Sequence, residues 1–174
     1  MTFRKAMALS ALALLFSAGA ARADSLPQQM FILLSGKCLQ PVDGSADQGA
    51  AIVQEPCDRT KSVQLWTAVS IGAGNIHYVN AYSSLCLDAR GGAANHTPVQ
   101  QWPCSTISNE TWQHGPWLYG PSKARPFPPP VYSKVSGASN YCLDVPGGQR
   151  TAGIAVQIYL CNGTISQGWE APLL

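Results

Sequence analysis

One phrase occurs three times along the chain, and it limits the possible folds more than any other feature. It opens with Cys38-Leu39-Gln40, Cys86-Leu87-Asp88 and Cys142-Leu143-Asp144. It closes with Gln54-Glu55-Pro56-Cys57, Gln101-Trp102-Pro103-Cys104 and Ile158-Tyr159-Leu160-Cys161. A tryptophan follows each close, in Gln64-Leu65-Trp66, Glu110-Thr111-Trp112 and Gln167-Gly168-Trp169. Between the cysteines lie turn-formers such as Asp43-Gly44, Gly91-Gly92 and Gly147-Gly148. A unit of this size cannot bury its apolar face alone, whereas three packed about a pseudo-threefold axis share one core. Trp66, Trp112 and Trp169 then become equivalent core residues, each burying roughly 150–250 Å².

The six cysteines fall at near-equal intervals, 19, 18 and 19 residues within successive pairs. Six thiols allow about 15 connectivities, and this spacing suggests three local bridges, one per unit. A zinc site would call for a Cys-x-x-Cys pair, and there is none. Bridges need an oxidising compartment, and the first residues supply the address. Arg4 and Lys5 precede an apolar run from Ala6 to Phe16, and Ala21-Arg22-Ala23 fits a signal-peptidase site. Residues 1–23 therefore read as a secretory signal, and the mature protein as secreted, extracellular or periplasmic. The run is too short for a bilayer span, which takes roughly 20 residues, so no membrane span is expected. Removing the signal takes Arg4, Lys5 and Arg22 and leaves eight cations against nine acids, a formal charge of −1. No basic patch remains to neutralise phosphates, so no nucleic-acid partner is expected.

Apolar residues come in short, often alternating runs broken every few positions by Gly, Pro, Asn and Ser. Nothing reads as a helix. Phe31 to Leu34, Val63 to Val69, Ile76 to Ala81 and Ala155 to Leu160 read as strands of an all-β sandwich or barrel. The units are unevenly spaced, and the extra length lies between Gln113 and Lys134, which holds Pro116, Pro121, Pro126 and Pro128-Pro129-Pro130. Proline at that density predicts a surface loop over 113–134 without strand or helix.

Together the Cys-Leu-Asp opening, the Val-Gln-x-Trp-Pro-Cys close and the Gln-x-Trp signature resemble the ricin-type β-trefoil lectins, over about residues 30–171. The resemblance implies an all-β, pseudo-threefold β-trefoil with one disulfide per repeat: Cys38–Cys57, Cys86–Cys104 and Cys142–Cys161. It implies a single lectin domain over 24–174, with repeats at about 30–75, 76–115 and 131–174. It also implies a secreted carbohydrate-binding protein, for galactose-type or plant-wall glycans, with no catalytic activity, cofactor or metal.

In that family each unit offers a shallow sugar pocket. An aspartate accepts from two neighbouring hydroxyls, an amide adds a donor and an acceptor, and an aromatic ring covers the apolar face. Carried over by position, the second unit fills every role: Asp88, Gln100, Trp102 and Asn109. Glu110 departs by replacing the glutamine that ties its loop to backbone; a carboxylate accepts such bonds but donates none, so this loop must be held differently. The third unit offers Asp144, Gln157 and Tyr159, with Ser166 where the far amide belongs and Asn162 as a substitute, which implies a weaker site. The first unit has Gln40, Glu55 and Val63 in the three roles and reads as retained for the core alone.

Two rival functions remain. For an enzyme, His77, His96 and His114 lie in no catalytic motif and read as solvated loop side chains. For an interaction module, the chain would be the cell-binding subunit of a multi-chain toxin, resembling those of cytolethal distending toxins, or the binding part of a hydrolase. The proline-rich loop would then offer a contact surface for the partner chain.

Overall fold

The repeated phrase becomes a repeated hairpin. In the computed structural model, which describes residues 24–116, 118–119, 126–127, 129–138 and 140–174, strand Cys38–Pro41 pairs with Ile52–Glu55. Cys86–Ala89 pairs with Thr97–Trp102, and Tyr141–Asp144 with Gln157–Leu160. Every pairing is antiparallel. The three registers are equivalent: Cys38 faces Glu55, Cys86 faces Trp102 and Cys142 faces Tyr159. Alternation along a strand then sends Leu39, Leu87 and Leu143 to the opposite face, where all three are fully buried. A disulfide closes each unit, Cys38–Cys57, Cys86–Cys104 and Cys142–Cys161, with Cα atoms 5.0, 5.1 and 5.1 Å apart. Loops of this length contribute about 3 kcal/mol each in the chain-entropy account.

The units close on one another through a second repeated contact. Ala51 bridges Gln100, Pro98 pairs with Gln157, and Ala155 pairs with Val53. Each unit therefore joins the next in the same register, and the ring of three closes. Trp66, Trp112 and Trp169 are fully buried inside it. Their Nε1 atoms donate to the carbonyls of Leu39, Leu87 and Leu143 at 3.1, 2.9 and 2.8 Å. Each indole thus buries its area and satisfies its one polar atom within its own unit. Met30, Ile32, Tyr78 and Ile158 complete the same core.

Several expectations needed correction. Val63 lies in a single-turn 3-10 segment, Ser62–Gln64, and the strand begins after it at Leu65–Gly72. The expected run from Ala155 to Leu160 divides into Ile154–Ala155 and Gln157–Leu160. The region 113–134 is not a plain loop. Trp112–His114 pairs with Val131–Ser133, which also pairs with Tyr141–Asp144. Leu118–Tyr119 pairs with Pro126–Phe127 as a separate two-stranded ribbon. Proline is tolerated in such a ribbon because one side of an edge strand needs no amide donor. Val131–Ser133 lies beyond the last proline. Gly115 makes the junction possible: it donates to Pro130 O at 2.7 Å, and a Cβ there would lie 2.7 Å from the Pro130 ring. His77 and His114 are strand residues, His77 buried, and not the solvated loop side chains that isolated histidines suggest. The leader read at 1–23 lies outside the described residues, as do Trp117, Gly120, Pro121 and Pro128 of the proline-rich stretch. Among the described residues no helix is long and apolar enough to cross a membrane, and no group of three His, Cys, Asp or Glu could hold a metal ion.

Candidate functional site

Asp144 ends one strand of the third hairpin and faces Gln157 across the ladder. Cross-strand partners share a face, and Gln157 Nε2 donates to Asp144 Oδ1 at 2.7 Å. Tyr159, two residues further along, comes to the same face and is half-buried. An open depression of about 300 Å³ lies here, lined by Asp144, Gln157, Tyr159, Asn162, Ser166 and His96. Asn162 Oδ1 is committed to Thr164, accepting from its N at 3.0 Å and its Oγ1 at 2.7 Å. That leaves the Asn162 amide donors for a ligand. Burial pushes the Asp144 carboxyl above its ordinary value, against the opposing pull of bonds from Gln157 and Gln167 and the charge of His96.

The second unit repeats the arrangement. Asp88 faces Gln100, whose Nε2 donates to Asp88 Oδ1 at 2.7 Å. Trp102 follows on the same face and is 36% exposed, unlike the three core tryptophans, so its ring is open to an approaching ligand. Asn109 is half-buried in the turn Ser108–Glu110, which corresponds to the turn Ile165–Gln167 carrying Ser166. In both units the glutamine amide donates to the aspartate, so Gln100 and Gln157 aim the carboxylate more than they offer a donor to a ligand. In the first unit Gln40 Oε1 instead accepts from Gln64 Nε2 at 2.8 Å, so an amide pair stands where the others hold a carboxylate.

Glu110 separates the second unit from the third. In the first and third units the glutamine before the core tryptophan grips its loop at both ends. Gln64 accepts from Asp58 N at 2.8 Å and donates to Pro56 O at 3.0 Å. Gln167 accepts from Asn162 N at 2.8 Å and donates to Leu160 O at 3.0 Å. Glu110, fully buried, keeps the accepting half, from Ser105 N, and cannot supply the other. The Ser105 hydroxyl donates to it instead, 3.1 Å from Oε2. The negative charge remains, and it bears on Asp88. Burial raises the Asp88 carboxyl, the Gln100 bond opposes this, and Glu110 raises it further. Glu110→Gln is therefore expected to stabilise the fold by about 1 kcal/mol, the net worth of one added hydrogen bond. It should also lower the Asp88 titration while leaving it above ordinary, because burial persists. Urea unfolding and an NMR titration of the Asp88 carboxyl check both; an unmoved Asp88 would mean that Glu110 is electrostatically remote.

Comparison with known proteins matches residues 31–102 to the model of the ricin-type beta-trefoil lectin domain-like family. The chain carries a β-trefoil fold. Its coordinates superpose on a designed threefold-symmetric protein, ThreeFoil, with a TM-score of 0.72 at 23% identity, covering 84% of this chain and 97% of that one. A ricin B-like lectin of Macrolepiota procera, solved with lactose, gives 0.65 at 18% identity over 84% and 94%. An exo-beta-1,3-galactanase from Clostridium thermocellum gives 0.71 at 23% identity; it covers 91% of this trefoil, which spans only 31% of that enzyme. No curated protein matches by sequence. At these identities the likeness shows the fold.

The trefoil brings Asp144, Gln157, Tyr159 and Asn162 to one depression, and Asp88 and Gln100 to one hydrogen bond with Trp102 beside them. Reading units one at a time missed His96, which belongs to the second unit yet lines the depression of the third. Aligning the repeats on their second cysteine would have exposed it. His96, Gly49 and Gly153 each stand eight residues before that cysteine, so a histidine replaces a repeated glycine.

Proposed function

We propose that this chain is a secreted, non-catalytic carbohydrate-binding protein that takes a galactose-type sugar in its third unit and, by equivalence, its second. One observation carries the reading: a carboxylate held by Gln157 lies beside the Tyr159 ring in an open depression. A pyranose presents paired hydroxyls and an apolar C–H face, which a carboxylate and a ring complement. The second unit repeats the pair with Asp88 and Trp102. Further support comes from the fold shared with a lectin solved with lactose and with part of a galactanase. Three disulfides fit an oxidising destination outside the cytoplasm. The first unit, lacking both carboxylate and ring, serves the core.

Three or four net hydrogen bonds and one ring contact amount to about 4 kcal/mol, a single-site Kd of order 1 mM. Two such sites gain strength on clustered glycans. The test applies the purified chain to immobilised lactose and to a glycan array that includes plant-wall oligosaccharides. Retention on lactose, with elution by free galactose, is the expected result. Failure on every glycan, with a second polypeptide co-purifying from the native source, would replace this reading with that of a toxin or hydrolase subunit.

A further inference from the structure

The junctions between units are built alike, and one of them departs. Gly49, His96 and Gly153 all have positive φ, 85°, 66° and 79°. Each donates its N–H to the next unit: Gly49 to Gln101 O at 2.8 Å, Gly153 to Gln54 O at 2.9 Å and His96 to Ile158 O at 3.1 Å. At two junctions the accepting residue is a fully buried glutamine that clamps the incoming loop. Gln101 Nε2 donates to Ser45 O and Asp47 O, both at 2.9 Å. Gln54 Nε2 donates to Gln149 O at 2.9 Å and Thr151 O at 2.8 Å. At the junction of the second and third units that glutamine is Ile158, which has no amide to offer. There the residue with positive φ also carries a side chain, at a cost of about 1–2 kcal/mol that glycine avoids.

The side chain of His96 reaches the third unit. Its Nδ1 lies 3.1 Å from Gln157 Oε1, and its ring meets Tyr159 edge-on, with centroids 5.1 Å apart and planes at 64°. The Gln157 Nε2 is committed to Asp144, so Oε1 is the acceptor of the His96 bond. A proton on Nδ1 makes this bond, and in the Nδ1–H tautomer Nε2 is an acceptor in the depression that His96 lines. The other junctions show the same position empty. A Cβ on Gly49 would lie 3.7 Å from the Trp102 ring and 3.9 Å from Gln100 Oε1, the counterparts of Tyr159 and Gln157. On Gly153 it would lie 3.9 Å from Glu55 Oε1.

We propose that His96 is a positioning and specificity residue of the third-unit pocket, which is thus built from two units. It rests on the saccharide reading above and adds to it. His96 fixes the Gln157 amide, and through it the Asp144 carboxylate, and its Nε2 accepts from one further ligand hydroxyl. The pocket therefore takes a neutral saccharide with a hydroxyl beyond the pair bound by Asp144, a group for which the second unit has no partner at Gly49.

The test uses the full chain carrying Asp88→Ala, so that lactose binding reports the third unit, with His96→Gly or His96→Asn added. His96→Gly restores the residue used at the other junctions and relieves the backbone, so the thermal midpoint checks that the fold persists. It is expected to weaken lactose about 10-fold, the worth of one hydrogen bond with the ordering it provides. Asparagine tolerates the left-handed backbone and places an amide nitrogen where Nδ1 stood. It should recover part of the loss but not the Nε2 contribution. Long-range ¹H–¹⁵N spectra should show the His96 proton on Nδ1. Equal lactose affinity in all three proteins, or a proton on Nε2 alone, overturns the proposal and leaves the saccharide reading standing. No lactose binding to the Asp88→Ala chain overturns both this proposal and that reading of the third unit.

Discussion

Replacing Asp88 and Asp144 together with alanine will reduce lactose binding by more than about 100-fold, with the fold intact. Each carboxylate is placed to accept from two sugar hydroxyls, and a hydrogen bond to a charged group is worth about 1.5–3 kcal/mol. Two such bonds lost per site exceed the 2.7 kcal/mol or so that corresponds to 100-fold. Stability responds differently. Both carboxyls are raised above their unfolded value, chiefly by burial. The folded state therefore holds its protons to higher pH, and these groups favour folding less as pH rises from about 4 through their folded pKa. At neutral pH each ionised carboxylate opposes folding, so alanine removes a penalty. It also leaves the Gln100 and Gln157 amides without acceptors, at about 1–3 kcal/mol each. These contributions oppose, and the midpoint should move by only a few degrees. Titration calorimetry with lactose and thermal unfolding separate the two effects. Retained binding would place the saccharide elsewhere on the molecule. The same shifts give the wild type an acid limb: lactose affinity should fall at a pH above the ordinary aspartate range, near 4.

Trp112→Ala should cost about 3–5 kcal/mol, a large part of the stability of a domain this size. The indole is fully buried, and its Nε1 donates to Leu87 O at 2.9 Å. Alanine leaves a cavity at the shared core and strands that carbonyl, and neighbouring strands tied by Cys86–Cys104 have little freedom to collapse into it. Trp66 and Trp169 make the same contacts in their own units, so the loss is not made good by symmetry. Urea unfolding measures it. A cost under 1 kcal/mol would mean that the three tryptophans do not form one cooperative core.

Much of this was legible in the order of residues because it is local. Cysteines opposite Glu55, Trp102 and Tyr159, leucines on the other face, and Asp88 or Asp144 against a glutamine follow from period-two alternation in a hairpin. The core tryptophans announced themselves by repetition, and Trp102 differed from them by standing beside a cysteine on the outward face. Contacts between units were not legible, because they depend on how three hairpins close. His96 reads as a loop histidine until its loop is laid against the third unit. Gln54 and Gln101 read as polar strand residues until they are seen gripping a neighbour's backbone. Val131–Ser133 was obscured by the prolines before it, although it is the strand that carries the chain from the second unit into the third.

The Ile158 junction bears on how the molecule would come apart. In a hoop of three units, two fasteners are buried amides, while the third is an imidazole at the surface, helped by Asn95, whose Oδ1 accepts from Leu160 N at 2.9 Å. That seam runs beneath the third depression. A sugar seated there would straddle it and hold the hoop shut, so filling one shallow pocket would brace the whole ring against opening.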